Sequence, residues 1–227
     1  MDNYTPKRVT LFAGHYGSGK TNIAVNFALQ LKKDGYPVKI ADLDIVNPYF
    51  RTKDSADELL KAEIPLISPN FANSNVDLPA LPPEVYSLVT RTDAYAVMDI
   101  GGDDRGAYAL GRYAPYILEE NNYEMIFVAN FFRPLTTNVD DAITVMREIE
   151  DASKIKFTAI INNSNLGNLT TVDDVLSTLN KANELSLKTG LPLIFTTIDE
   201  RIFSAAKDIK NAFKLKLQRK YFDIKEI

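Results

Sequence analysis

The sequence predicts an α/β fold of three layers, a mostly parallel sheet of about seven strands with helices on both faces. Three observations predict it. Short β-rich runs alternate with longer segments of helical pattern. Several of those runs, "MIFVAN" and "AIIN" among them, are almost continuously apolar, as strands are when both sheet faces are covered. The chain has 227 residues, 45% hydrophobic and 25% charged, which suits one large domain over 1–227 with no internal repeat or linker.

Taken in order, the apolar runs place strands at Val9–Ala13, Val38–Asp42, Ile64–Ser68, Tyr95–Ile100, Met125–Asn130, Phe157–Asn162 and Leu193–Thr197. Helices are expected between them near Lys20–Asp34, Asp54–Ala62, Pro82–Arg91, Arg105–Glu120, Asn138–Ala152, Val172–Thr189 and Asp199–Phe213. The sixth of these has the clearest ends. Thr171 can cap it, Asp173 and Asp174 fall in its first turn, and Gly190 followed by Pro192 stops it. A last helix about 199–220 closes the chain. The proline-punctuated stretch Pro69–Pro83 is long for a connection, and such loops are functional lids or plain surface wraps.

Composition excludes several classes of function. The net charge is -4, so nothing global points to nucleic acid, and no nucleic-acid contact is expected. There is no cysteine, which removes disulfides, thiolate metal sites and iron–sulfur clusters, and makes a reducing, cytoplasmic home the simplest expectation. The start "MDNYTPKRVTLFAG" does not read as a signal peptide, and no apolar run is long enough to span a membrane.

Function is written first in Gly14-His15-Tyr16-Gly17-Ser18-Gly19-Lys20-Thr21, which fits G-x-x-x-x-G-K-[ST], the Walker A phosphate loop of P-loop NTPases. It stands between a strand and a helix, as that loop requires. Its glycines let backbone N–H groups turn toward phosphate oxygens, and the following helix, from Lys20 through Asn22, points its positive end at the same place. Lys20 would reach the β- and γ-phosphates and the Thr21 hydroxyl would help to hold Mg²⁺. A glycine-rich turn without a ligand would leave the lysine and threonine unexplained.

Three more strand ends carry polar residues where open α/β sheets bind ligands. Asp42 and Asp44 follow the second strand in "ADLDIVNPYFR". Asp99 ends the run "VMDIGGDD", with Gly101 and Gly102 after it. Asn162 and Asn163 end "AIINN". A carboxylate near Mg²⁺ holds the metal through its waters or orients an attacking water. A glycine pair lets backbone approach a γ-phosphate, and an Asn amide suits a purine edge. Each of these alone is more often a cap or turn residue. Their joint placement beside the phosphate loop favours the functional reading.

"GHYGSGKT", "ADLDIVNP" and "VMDIGGDD", in that order, resemble the phosphate loop, switch I and switch II of the MinD/ParA/CobQ–CobB group of SIMIBI-class P-loop ATPases. More narrowly the chain resembles a bacterial ATP-binding branch of that group. The resemblance runs over about Arg8 to Thr197 and implies bound ATP and Mg²⁺, slow hydrolysis, and a homodimer or a partner protein. By position it assigns Lys20 and Thr21 to phosphate and metal, Asp42 to the neighbourhood of Mg²⁺, Asp44 to the water, and Asp99 to the switch II acid. It places Asn162 or Asn163 at the base, with Asn163 favoured.

One departure stands out. Many members of the group have a second lysine directly after the first loop glycine, and in dimers it crosses to the partner's phosphates. Here that residue is His15, which when neutral offers a donor but no fixed charge. Either hydrolysis is slow or another cation serves; Arg51, Arg105 and Arg133 follow expected strand ends and are candidates. The loop is then coupled to one of three outputs: a nucleotide-dependent switch or assembly factor, an ATP-dependent carboxylate-activating enzyme of the dethiobiotin synthetase or CobB type, or a non-hydrolysing scaffold. The basic segment "KDIKNAFKLKLQRKYFDI" reads first as a terminal helix packing Ile209, Phe213 and Leu217, with membrane association the lesser alternative.

Overall fold

The computed structural model describes residues 4–44, 55–68, 83–102, 104–206 and 208–218, without the side chains of Asp104 and Arg105. Arg51, the stretch 47–54, the stretch 69–82, Lys207, Arg219 and Lys220 lie outside the described residues. The elements in chain order are β1 (Val9–Ala13), α1 (Lys20–Lys33), β2 (Val38–Leu43), α2 (Ala56–Lys61), β3 (Leu66–Ile67) and α3 (Glu84–Thr90). Then come β4 (Tyr95–Ile100), α4 (Asp104–Gly111), α5 (Ala114–Glu120), β5 (Tyr123–Ala129) and α6 (Val139–Ser153). The last are β6 (Ala159–Asn162), α7 (Val172–Thr189), β7 (Leu193–Asp199) and β8 (Ala212–Leu215).

The strands form one sheet in the order β3-β2-β4-β1-β5-β6-β7-β8, and every pairing is parallel. The apolar runs explain themselves at once. In β1, Val9, Leu11 and Ala13 enter one core while Phe12 enters the other. In β5, Met125, Phe127 and Ala129 face the first core and Ile126 and Val128 the second. Successive side chains go to opposite faces, and both faces are covered, so no polar alternation survives. The first core is closed by α3 to α7, and the second by α1, Leu59 of α2 and the C-terminal strand through Phe213 and Leu215.

Helix ends follow the local chemistry. Thr171 and Asp174 form a reciprocal capping box on α7, and Gly190 ends it in the left-handed region. The Asn138 side chain caps α6 by accepting from the Asp141 N–H at 2.9 Å.

Two expectations are corrected. The helix expected over Arg105–Glu120 is two, α4 and α5. The chain breaks at Arg112–Tyr113, and Pro115 sits in the first turn of α5, where its missing N–H costs nothing. The helix expected at about 199–220 is absent from the described part of that span. After β7 come a 3-10 turn at Phe203–Ala205 and then β8, which pairs with β7 from Ala212 opposite Thr196 to Leu215 opposite Asp199. Phe213 and Leu215 are buried, while Lys214 between them is exposed. The period is therefore two and not 3.6, and an eighth strand joins the seven expected.

One close approach fixes where α4 lies. A Cβ at Gly106 would stand 2.6 Å from the Cα of Gly101 and 2.8 Å from its nitrogen. Both partners are backbone and cannot rotate aside. Gly106→Ala, although alanine is the better helix former, is expected to destabilise the fold by about 1–3 kcal/mol through overpacking. Urea unfolding measures it; unchanged stability would mean that α4 shifts freely on the end of β4.

Candidate functional site

The site lies at the carboxyl ends of β1, β2, β4, β5 and β6, and it is built outward from the loop between β1 and α1. Within that loop the Ser18 N–H donates to the His15 carbonyl at 3.1 Å. Gly17 and Gly19 have φ of +75° and +89°, a region that favours glycine. Gly19 also has no room for a side chain, since a Cβ there would come within 2.3 Å of Asn163 Nδ2. No side chain caps the start of α1. Its first-turn N–H groups and the helix dipole thus present a positive end suited to an anion.

Lys20 is buried at the loop, and its ammonium donates to the His15 carbonyl at 3.2 Å. Gly102, just past β4, closes on the same place. A Cβ there would lie 2.7 Å from both Lys20 Nζ and the Tyr16 nitrogen. Tyr16 itself is half exposed at the outer turn of the loop. His15 is held below the usual histidine range by burial first and by the nearby Lys20 ammonium second, with Glu148 of α6 opposing. At neutral pH it is uncharged, so it does not restore the positive charge that a lysine would carry there.

The three aspartates converge. Asp42 and Asp99 are register partners on adjacent strands β2 and β4, and so share a sheet face. Asp42 Oδ1 accepts from the Asp44 N–H at 3.0 Å, which turns the chain at the end of β2. All three are buried, and Asp44 lines the cavity described below. A Cβ on Gly101 would stand 3.4 Å from Asp44 Oδ1, so the ends of β2 and β4 meet at Asp44.

Two amides that look equivalent in sequence differ. Asn162 is turned into the protein: its Nδ2 donates to Thr178 Oγ1 at 3.1 Å and its Oδ1 accepts from Ser164. Asn163 faces the loop, donating to the Ser18 carbonyl at 2.6 Å and accepting from the Thr197 hydroxyl. Of the three candidate arginines, Arg133 reaches the loop, its Nε donating to the Gly17 carbonyl at 2.8 Å. Arg51 and the Arg105 side chain lie outside the described residues.

A cavity of about 440 Å³ opens from the loop. It is lined by Gly17, Gly19, Lys20, Thr21 and Arg133, by Leu166 and Leu169 of the turn after β6, by Leu215 and Leu217 at the C-terminal strand, and by Asn163, Asn165 and Gln218. The glycine loop with its cations suits an anion, and the leucines with the amides suit a flat, partly polar ring. The leucine wall was not singled out from sequence. The signals available were the amide-rich "NNSNLGNL" and the alternation in "FKLKL". Among the described residues no group of three or more His, Asp or Glu could hold a metal unaided. Mg²⁺ with phosphate does not need one, because phosphate oxygens, waters and one or two carboxylates complete its shell.

No protein-family model matches the chain, and no curated protein sequence does. Solved structures do. The cell division protein FtsY from Thermotoga maritima aligns with TM-score 0.59 at 16% identity, over 86% of this chain and 63% of that one. Chloroplast FtsY from Physcomitrella patens gives 0.55 at 18%, over 86% and 59%. FtsY from Mycoplasma mycoides gives 0.55 at 16%, over 86% and 61%. The chain therefore spans about three fifths of the length of the structures it resembles. At these identities the likeness establishes the fold, the α/β fold of P-loop NTPases. No described helix is long and apolar enough to cross a membrane.

Proposed function

We propose that the chain is a nucleotide-dependent switch of the MinD/ParA/CobQ–CobB group that binds MgATP, hydrolyses it slowly and works as a homodimer or on a partner protein. One observation carries the reading: a glycine cradle with a buried lysine opens into a cavity that amides and leucines also line. Loop N–H groups and Lys20 would hold the phosphates, Thr21 and Asp42 the metal, with Asp99 beside Asp42. Bound Mg²⁺ would neutralise phosphate charge and leave a less negative target for water. Tyr16 and Gly102 shape the loop's outer wall, Ser18 is buried within the loop, and Asn163 braces the loop against β6 and β7.

Adenine rather than guanine is taken from the resemblance of the phosphate loop and the two switch motifs to those of ATPases. The amides of Asn165 and Gln218 line the cavity beside Asn163, which braces the loop. ATP is therefore expected to bind at least about tenfold more tightly than GTP, the worth of one good polar discrimination. Calorimetric titration of both nucleotides with Mg²⁺ tests it, with Lys20→Ala as the control that should lose both. Equal affinity for GTP would overturn the base assignment, and undiminished binding by Lys20→Ala would overturn the phosphate site.

A switch reading follows from where the strands lead. Asp44 precedes the switch I stretch, and Gly102 opens switch II against the loop. On this reading both strand ends lie beside the terminal phosphate, and its loss would release both.

A further inference from the structure

The C-terminal strand does more than extend the sheet. Past β8 the chain continues along α1, and two amides of that helix hold it. The Asn26 side chain pairs with the backbone of Lys216 in both directions, accepting from its N–H at 2.9 Å and donating to its carbonyl at 2.9 Å. Four residues earlier, Asn22 Oδ1 accepts from the Gln218 N–H at 2.8 Å. The spacing is matched: four helical residues advance about 6 Å, and two extended residues about 6.6 Å. Helix α1 thus offers the strand a pair of amides where a neighbouring strand would offer backbone.

The same segment touches two other places. Leu215, Leu217 and Gln218 line the cavity. Gln218 Nε2 also donates to Ser55 Oγ, and Lys216 Nζ pairs with Glu58 of α2 at 2.8 Å. One strap therefore joins the helix that follows the phosphate loop, the cavity that Leu166 and Leu169 also line, and the helix that follows the switch I stretch.

We infer that residues 215–218 are the specificity-determining wall of the nucleotide cavity, recognising the purine end of the ligand and passing its occupancy to α2. The inference rests on the nucleotide reading of the cavity given above. The leucines cover one face of the ring, and Asn22 and Asn26 fix the depth of that wall. The triphosphate end makes no use of the strap.

The test separates the two ends of the ligand. Wild type, Asn26→Ala and Gln218→Ala are titrated with ATP and with inorganic tripolyphosphate, each with Mg²⁺, and amide exchange is followed over 212–218 and 55–61. ATP, but not tripolyphosphate, should slow exchange in both segments of the wild type. Asn26→Ala should weaken ATP about tenfold, as for two hydrogen bonds that position the wall, and leave tripolyphosphate unchanged. Gln218→Ala, which keeps the backbone bond to Asn22 but removes an amide of the wall, should weaken ATP a few-fold, leave tripolyphosphate unchanged and lose the protection over 55–61 even at saturating ATP. It carries the test if circular dichroism shows Asn26→Ala unfolded. Equal weakening of both ligands in Asn26→Ala, or protection of 55–61 that survives in Gln218→Ala, would overturn the strap alone. A wild type that binds neither ligand would overturn the nucleotide reading, and the strap with it.

Discussion

Arg133→Ala is expected to lower kcat for ATP hydrolysis about 10³-fold, with the ATP dissociation constant changed only a few-fold. The argument begins with a missing charge. On the proposed reading His15 takes the place of the group's second lysine, and it is uncharged at neutral pH because burial and Lys20 both disfavour its protonation. Arg133 is a cation that reaches the loop from the same chain, and its backbone is held ready. Asn130, nearly inaccessible, accepts from the Phe132 N–H at 3.0 Å through its side chain. Its carbonyl accepts from the Arg133 N–H at 3.1 Å and the Thr136 hydroxyl at 2.6 Å. The turn that presents Arg133 is therefore fixed before any ligand arrives, and the guanidinium needs only a short swing from the Gly17 carbonyl. Single-turnover hydrolysis measures the effect, and Arg133→Lys, which keeps the charge but not the fork, should recover part of it. Hydrolysis by Arg133→Ala at the wild-type rate would leave the charge of the transition state to another group.

Much of this was legible in the chain because the signals were local. β1, β4 and β5 are apolar runs covered on both faces, and they could not be mistaken for helices at their lengths. The phosphate loop is a contiguous motif whose context, strand then helix, can be read alongside it. The C-terminus shows the opposite case. Ile209, Phe213 and Leu217 fit a helical stripe, while Phe213, Leu215 and Leu217 fit a strand, so the residues satisfy both periods. What decided between them was the open edge of β7, which no local pattern reveals. Arg105–Glu120 was misread for a different reason: Gly111 and Pro115 mark the break, but the apolar pattern runs through them. The leucine wall of the cavity had only weak signals in the sequence, because Leu166 and Leu217 come to line one cavity only through the order of strands. The distinction between Asn162 and Asn163 had the same origin. Adjacent residues on a strand face opposite sides, and only the packed sheet says that Thr178 waits on one side and the phosphate loop on the other.

Asp44→Ala should spare MgATP binding and reduce hydrolysis by about 10²–10⁴-fold, the range for a group that positions or deprotonates the attacking water. Its neighbours divide the labour. Asp42 Oδ1 accepts from the Asp44 N–H, and Asp42 is the register partner of Asp99 on β4. Those two stand across adjacent strands, a pair suited to waters around a cation. Asp44 is one residue beyond β2, where the strand has ended and the chain can turn, and it is the aspartate of the three that lines the cavity. Its burial favours a water held by protein over bulk solvent, and its contact with Gly101 ties its position to the end of β4. A change in nucleotide state that moves Gly102 would then move the carboxylate as well. Asp44→Asn keeps the shape and hydrogen bonding but cannot take a proton. If that variant hydrolyses ATP near the wild-type rate while Asp44→Ala does not, the residue orients water without acting as a base. If both are inactive and both bind ATP, it is the base. Hydrolysis by Asp44→Ala at the wild-type rate would remove the residue from the chemistry.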